Sequence, residues 1–154
     1  NIAFRLDEQA AQEERIERAA QVAQVHDNIV DFPKAYDTLL GERGITLSGG
    51  QKQRVSIARA IIGRPKILLF DDALSAVDTA TEEAILEELR TEMKGRTTVI
   101  ISHRISAVRD ADQILVLEDG RVMEEGSHDA LLANGGMYAR LHTEQLLEEA
   151  RKEA

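Results

Sequence analysis

The chain has 154 residues, 43% hydrophobic and 31% charged, which suits one globular domain or a large piece of one and not a disordered chain. Its formal net charge of −9 argues against nonspecific nucleic-acid binding, which needs Lys and Arg to neutralise phosphates. Without cysteine it has no disulfide framework or thiolate zinc site, and apolar runs as short as Ile67 to Phe70 and Val99 to Ile101 are too brief to cross a membrane.

In chain order, the spacing predicts a helix from about Glu8 to Val25, with Ile16, Ala19, Ala20 and Ala23 forming a narrow apolar stripe. Pro33 breaks that pattern, and a mixed loop follows through Gly41 and Gly44. A second helix is expected from Gly50 or Gln51 to Ile62, burying Val55, Ala58 and Ile62 and ending at Gly63 before Pro65. The run Ile67-Leu68-Leu69-Phe70 is apolar on both faces, as in a strand buried inside a parallel sheet. Thr79 followed by Glu82 reads as a capping box for a helix burying Ile85, Leu86 and Leu89, and Thr97 to Ser102 reads as the next buried strand. Asp119-Gly120 between Ile114–Glu118 and Arg121–Glu125 is a hairpin signal. Ser127 should cap a short helix, and a last helix should begin near Met137. A helical first third thus precedes alternating strands and helices, an α/β arrangement.

Four short segments carry chemistry. In Leu47-Ser48-Gly49-Gly50-Gln51, two glycines precede a helix whose first N–H groups point at whatever lies in front of it. Glycine lets backbone approach an anion closely, and Ser48 adds a hydroxyl, although a plain helix-capping turn has the same composition. Asp71 and Asp72 end the apolar strand, where a carboxylate faces the ligand edge of a parallel sheet or simply forms a turn. Ser75-Ala76-Val77-Asp78 follows, and Asp78 is also placed to cap the next helix. His103, in Ser102-His103-Arg104, ends the next strand, where an imidazole can hydrogen-bond a phosphate. His26, His128 and His142 lack metal-ligand spacing and read as surface residues.

Together with the continuation Gln51-Lys52-Gln53-Arg54-Val55-Ser56-Ile57-Ala58-Arg59-Ala60, these segments resemble, in order and separation, the signature, Walker B, D-loop and H-loop motifs of ATP-binding cassette (ABC) ATPases. The resemblance covers nearly the whole chain. Asn1-Ile2-Ala3-Phe4 is similar to the segment after the Q-loop of exporter-type domains, and Tyr36 to Gly44 to their X-loop region. Leu39 stands where many members carry Glu, which puts the contact made by that carboxylate in doubt. The resemblance implies a partial P-loop NTPase-like domain. Residues 1–62 would be a helical subdomain, 63–134 the C-terminal half of the parallel-sheet core, and 135–154 a terminal helix. It implies nucleotide contact by Ser48, Gly49, Gly50, Gln51 and Asp78, Mg2+ held by Asp71, and catalysis by Asp72 and His103 on ATP. The implied partners are a second ABC subunit and a transmembrane domain fused upstream, at the cytoplasmic face of the cell membrane, with no nucleic acid.

No G-x-x-x-x-G-K-[ST] occurs in the 154 residues, and the family's A-loop aromatic and Q-loop glutamine would lie before Asn1. The chain is therefore expected to be a C-terminal portion of a cassette that, alone, neither binds ATP tightly nor hydrolyses it. Active members usually have Glu where this chain has Asp72, and the shorter side chain draws the base back by one methylene. That substitution, with an intact signature, is similar to one half of heterodimeric multidrug exporters, although a homodimer with a slow base fits the residues as well. An exporter domain, moving drugs or lipid-like compounds, is the leading expectation. Soluble cassettes of DNA repair or translation usually carry a long coiled coil or a second cassette, and an importer cassette fits the Asn1–Phe4 and Gly41–Gly44 context less well.

Overall fold

A computed structural model describes residues 1–6, 13–41 and 46–152. The predicted helix start between Glu8 and Gln12, and Glu42-Arg43-Gly44 of the X-loop region, lie outside the described residues. The chain forms two compact units, residues 1–101 and 102–154.

In the first unit, a short 3-10 turn (Ile2–Arg5) and helices α1 (Glu13–Val22) and α2 (His26–Val30) precede the longer α3 (Gly49–Ile62). The small residues of the predicted stripe explain the packing: Ala19, Ala20 and Ala23 are buried and let α1 lie against α3, which contributes Val55, Ile57, Ala58, Ile61 and Ile62 to the same core. Arg15 of α1 donates to the carbonyl of Ile62 at 3.0 Å, so the C-terminal end of α3 receives a cation where its carbonyls lack partners. The first helix stops at Val22, three residues before the expected Val25. Gln24 turns left-handed at φ 52°, and its carbonyl accepts from Arg54 of α3. This break is made by a tertiary contact, which explains why neither Gly nor Pro marks it. Gly63 follows α3 at an ordinary φ of −74°, and the left-handed turn falls on Arg64 at φ 48°.

Strand β1 (Ile67–Asp71) pairs in parallel with β2 (Thr97–Ile101), the two joined by α4 (Thr79–Met93), and Asp71 sits opposite Ile101. The parallel pairing matches the expectation; burial on both faces does not. Leu68 and Phe70 are 2% and 7% exposed, whereas Ile67 and Leu69 on the other face are 68% and 63% exposed, with Val99 and Ile101 beside them also exposed. Side chains alternate across a strand, and among the described residues of this unit the helical core covers only the Leu68–Phe70 face. The start of α4 also differs from the expected capping box. Its N-cap is Asp78, whose carboxylate accepts from Thr81 N at 3.0 Å, so Thr79 is already helical; Glu82, on the same face as Ile85, Leu86 and Leu89, is fully buried.

The second unit contains α5 (Ile105–Val108), β3 (Ile114–Glu118), β4 (Arg121–Gly126), α6 (His128–Asn134) and α7 (Met137–Lys152). The β3–β4 hairpin turns at Asp119 and Gly120, both left-handed at φ 48° and 74°, as a two-residue type I′ connection requires. Ser127 caps α6 as expected, and the Glu124 carboxylate accepts from the backbone N–H groups of Met137 and Tyr138 at the start of α7. Ile105, Ile114, Val116, Leu131 and Tyr138 form the core. Two histidines read as surface residues are half-buried partners of tyrosines. His26 Nδ1 lies 2.8 Å from the Tyr36 hydroxyl, and His128 Nδ1 lies 2.8 Å from that of Tyr138. Neither pair carries a sequence signal, because the ten-residue separation crosses a turn.

Candidate functional site

The start of α3 is built by a reciprocal capping box. Gln51 N donates to Ser48 Oγ at 3.2 Å, while Ser48 N donates to Gln51 Oε1 at 2.9 Å. Both side chains serve there as acceptors, which leaves the Ser48 hydroxyl hydrogen and the Gln51 amide N–H2 as the donors that capping does not use. With the first-turn amides of Gly49 and Gly50, the helix start, exposed at Ser48 and Gly49, offers several donors toward a ligand, the chemistry an anion requires.

This helix start packs on the loop after β1. A Cβ placed on Gly50 would lie 2.7 Å from the Ala76 carbonyl oxygen, so the second glycine is required by a close backbone approach within the chain. Gln53, one turn along α3, donates from Nε2 to Ser75 Oγ at 2.9 Å and to the Asp72 carbonyl at 3.4 Å. Its Oε1 accepts from Ala76 N at 2.9 Å. The structure thus gathers Ser48 to Gln51, the Ser75–Ala76 turn and the Asp72 backbone within the first unit.

Asp71 is the last residue of β1 and is exposed. Asp72, also exposed, adopts φ 47°, and its N–H donates to Ile101 O at 2.9 Å, extending the β1–β2 ladder by one bond. Aspartate tolerates the left-handed region better than most residues. Asp78 lies beyond the turn as the cap of α4. Its carboxyl is held below the ordinary carboxylate range by the Thr81 backbone N–H, then by the Thr81 side chain, with a smaller contribution from the Arg54 charge. The capping role of Asp78 is therefore visible in the fold.

His103 belongs to the second unit and is exposed. Its carbonyl accepts from Gln145 Nε2 at 2.7 Å, and Gln145 Oε1 accepts from Ile105 N at 2.9 Å, so α7 holds the backbone that presents the imidazole. Among the described residues no three His, Cys, Asp or Glu side chains converge on a metal position. Sequence reasoning missed Gln53 and Gln145. Both are ordinary helix-surface residues by periodicity, and only the fold shows what their amides grip.

The mixed α/β fold, with a glycine-opened helix docked on the loop of a parallel strand that ends in carboxylates, matches part of an ABC ATPase domain of the P-loop NTPase class. The chain belongs to the ABC transporter family, whose model matches residues 3–75. It is 52% identical over 132 residues to ATP-binding cassette sub-family B member 6 of Mesocricetus auratus, covering 86% of this chain and 16% of that protein. It is 48% identical over 149 residues to the ATP-dependent lipid A-core flippase of Syntrophus aciditrophicus (strain SB), covering 97% of this chain and 24% of that protein. Among solved structures it is similar to a bacterial Atm1-family ABC exporter with ATP bound, with a TM-score of 0.82 and 47% identity over 94% of this chain and 25% of that one. The similarity is thus to export-type members, and the chain spans a quarter or less of the length of each of these proteins.

Proposed function

We propose that this chain is the C-terminal part of an exporter's nucleotide-binding domain, which couples ATP binding and hydrolysis at a dimer interface to transmembrane export of drugs or lipid-like compounds. On this reading residues 1–62 form the helical subdomain, 63–134 the C-terminal half of the catalytic core and 135–154 a terminal helix. The transmembrane domain precedes it in the same polypeptide and places the cassette at the cytoplasmic face of the membrane. The observation that carries the reading is the donor-rich helix start Ser48–Gln51, fixed against the turn that follows Asp71 and Asp72.

Ser48, Gly49, Gly50 and Gln51 would meet nucleotide held by a second subunit, with Asp78 ordering the turn at that interface. Asp71 and Asp72 present hard carboxylate oxygens at the exposed end of β1, a donor set that fits magnesium, which keeps several waters and needs only one or two carboxylates. Asp71 would hold the ion, which when bound offsets the charge of the phosphates. Asp72 would accept the proton of the attacking water, and His103 would hydrogen-bond the terminal phosphate and orient that water. A partner subunit with its own phosphate loop and a full-length base would make the heterodimer asymmetric, with this chain's signature completing the faster site. By itself the 154-residue chain, without a phosphate loop, is expected to be inactive, and turnover by the purified chain with magnesium alone would contradict that.

The test of the base is Asp72→Glu in the full-length protein. A carboxylate about one ångström out of place costs on the order of a hundredfold in rate, so restoring its reach should raise ATPase activity at least severalfold. No rise would defeat the argument from carboxylate position, while an increase in Asp72→Asn as well would show that Asp72 is not a base.

A further inference from the structure

Gln53 is the one side chain of α3 seen to grip the 72–76 loop from both ends among the described residues. The loop has no regular structure of its own and begins with Asp72 in the left-handed region. The Asp72 carbonyl accepts from Ser75 Oγ at 3.0 Å and Ser75 N at 3.3 Å as well as from Gln53. Gln53 therefore closes a small network in which its N–H2 fixes the entry of the loop and its oxygen fixes the Ala76 amide at the exit. A primary amide does both, whereas a carboxylate there has no donor and an ammonium no acceptor.

The same helix carries Ser48 to Gln51 at its first turn. An α-helix is stiff over a single turn, so a displacement of the helix start must be passed to the residue one turn on. From Gln53 it reaches the backbone of Asp72. We propose that Gln53 is a positioning residue that makes the α3 start and the Asp72 carboxylate one rigid piece, so that nucleotide engaged by the helix start sets the reach of the carboxylate toward the other nucleotide. This rests on the hydrolytic reading above. Gln53 itself touches no substrate in this scheme and acts through Asp72 and the Ser75–Ala76 turn.

The experiment is Gln53→Met in the full-length protein, a substitution that keeps length and shape and deletes all three hydrogen bonds. The expected result is a fall in kcat of about tenfold or more with the KM for ATP within about twofold, because the loop shifts by a fraction of an ångström while the phosphate cradle is untouched. The Ala76 amide should exchange its hydrogen faster than in wild type. Ser75→Ala should lower kcat partway, and the double variant should be no slower than Gln53→Met alone, as for residues acting in one chain. Wild-type kcat in Gln53→Met overturns the proposal, and so does a loss confined to KM. Should that variant fold poorly, Gln53→Glu, which keeps the acceptor for Ala76 and loses only the donor, takes its place, and wild-type kcat there overturns it equally. Unchanged Ala76 exchange removes the clamp whatever the activity, whereas a wild-type protein without ATPase activity removes the hydrolytic reading on which the clamp's purpose depends.

Discussion

Substitution of Gly50 by alanine sets two effects of known sign against each other. Gly50 is helical with an ordinary φ, so alanine is favoured by helix propensity by about 1 kcal/mol. Against that, the added Cβ would sit 2.7 Å from the Ala76 carbonyl oxygen, and reaching the 3.4 Å of ordinary contact needs a retreat of about 0.7 Å. The obstacle is backbone, in a turn whose Ala76 N–H is held by Gln53 one turn along the same helix, so the retreat is resisted. Forced overpacking of this kind costs about 1–3 kcal/mol, which leaves a net loss of up to about 2 kcal/mol. A displacement of this size at a reacting constellation costs tens of fold in rate, by comparison with about a hundredfold for a full ångström. Gly49→Ala is the internal control, since its Cβ would meet only the Ala76 methyl at 3.7 Å, an ordinary contact. In the full-length protein, thermal melting should fall for Gly50→Ala and hold for Gly49→Ala. ATPase activity should fall for Gly50→Ala through the turn, and for Gly49→Ala only if a ligand approaches that backbone. A Gly50→Ala protein that melts and turns over like wild type would refute the close approach as the reason for the glycine.

Gly63→Ala should stabilise the fold by about 0.4–1 kcal/mol, because its φ of −74° suits any residue and nothing lies within 4 Å of the added Cβ; denaturant unfolding measures this. The Asp78 carboxyl is held below its ordinary value of 3.8, so the folded state favours its charged form. The stabilisation it gives is present above that value and is lost as pH falls through the lowered folded-state value. Asp78→Asn keeps the cap acceptor without the titration, so the difference in melting temperature between wild type and Asp78→Asn should change on acidification below about pH 4. A difference constant across that range would show that the Thr81 contacts do not act on the charge.

What was legible in the sequence followed from local rules. The Asp119-Gly120 turn and the Ser127 cap each involve residues no more than three apart, where composition and backbone geometry are tied directly. The start of α4 shows the limit of such rules. Asp78 and Thr79 are both good caps, and Glu82, on one helix face with Ile85, Leu86 and Leu89, is buried rather than free to complete a surface capping box. Strand burial failed for a different reason. The apolar pattern of Ile67 to Phe70 states what the strand can bury, and only the layers laid over it determine what is buried.

The candidate site divides along the same line. Ser48, Asp71, Asp78 and His103 could be named as candidates because chemistry restricts which residue types suit a helix start, a strand end or a phosphate. Gln53 and Gln145 escape because an amide on a helix surface is compatible with solvent, and nothing in its sequence neighbourhood reveals a loop 19 to 23 residues away or a carbonyl 42 residues away. Apart from the Gln53 contact to the Ser75 hydroxyl, what they hold is backbone, so the identity of the gripped residue leaves little trace in composition. Reaction geometry set to a fraction of an ångström depends on such grips as much as on the reacting groups, since a carboxylate of the right type on an unheld loop samples positions from which it cannot act. In the full-length protein, loss of the Gln53 amide should therefore damage turnover out of proportion to its effect on stability, the reverse of what a buried apolar truncation in the α1–α3 core would do.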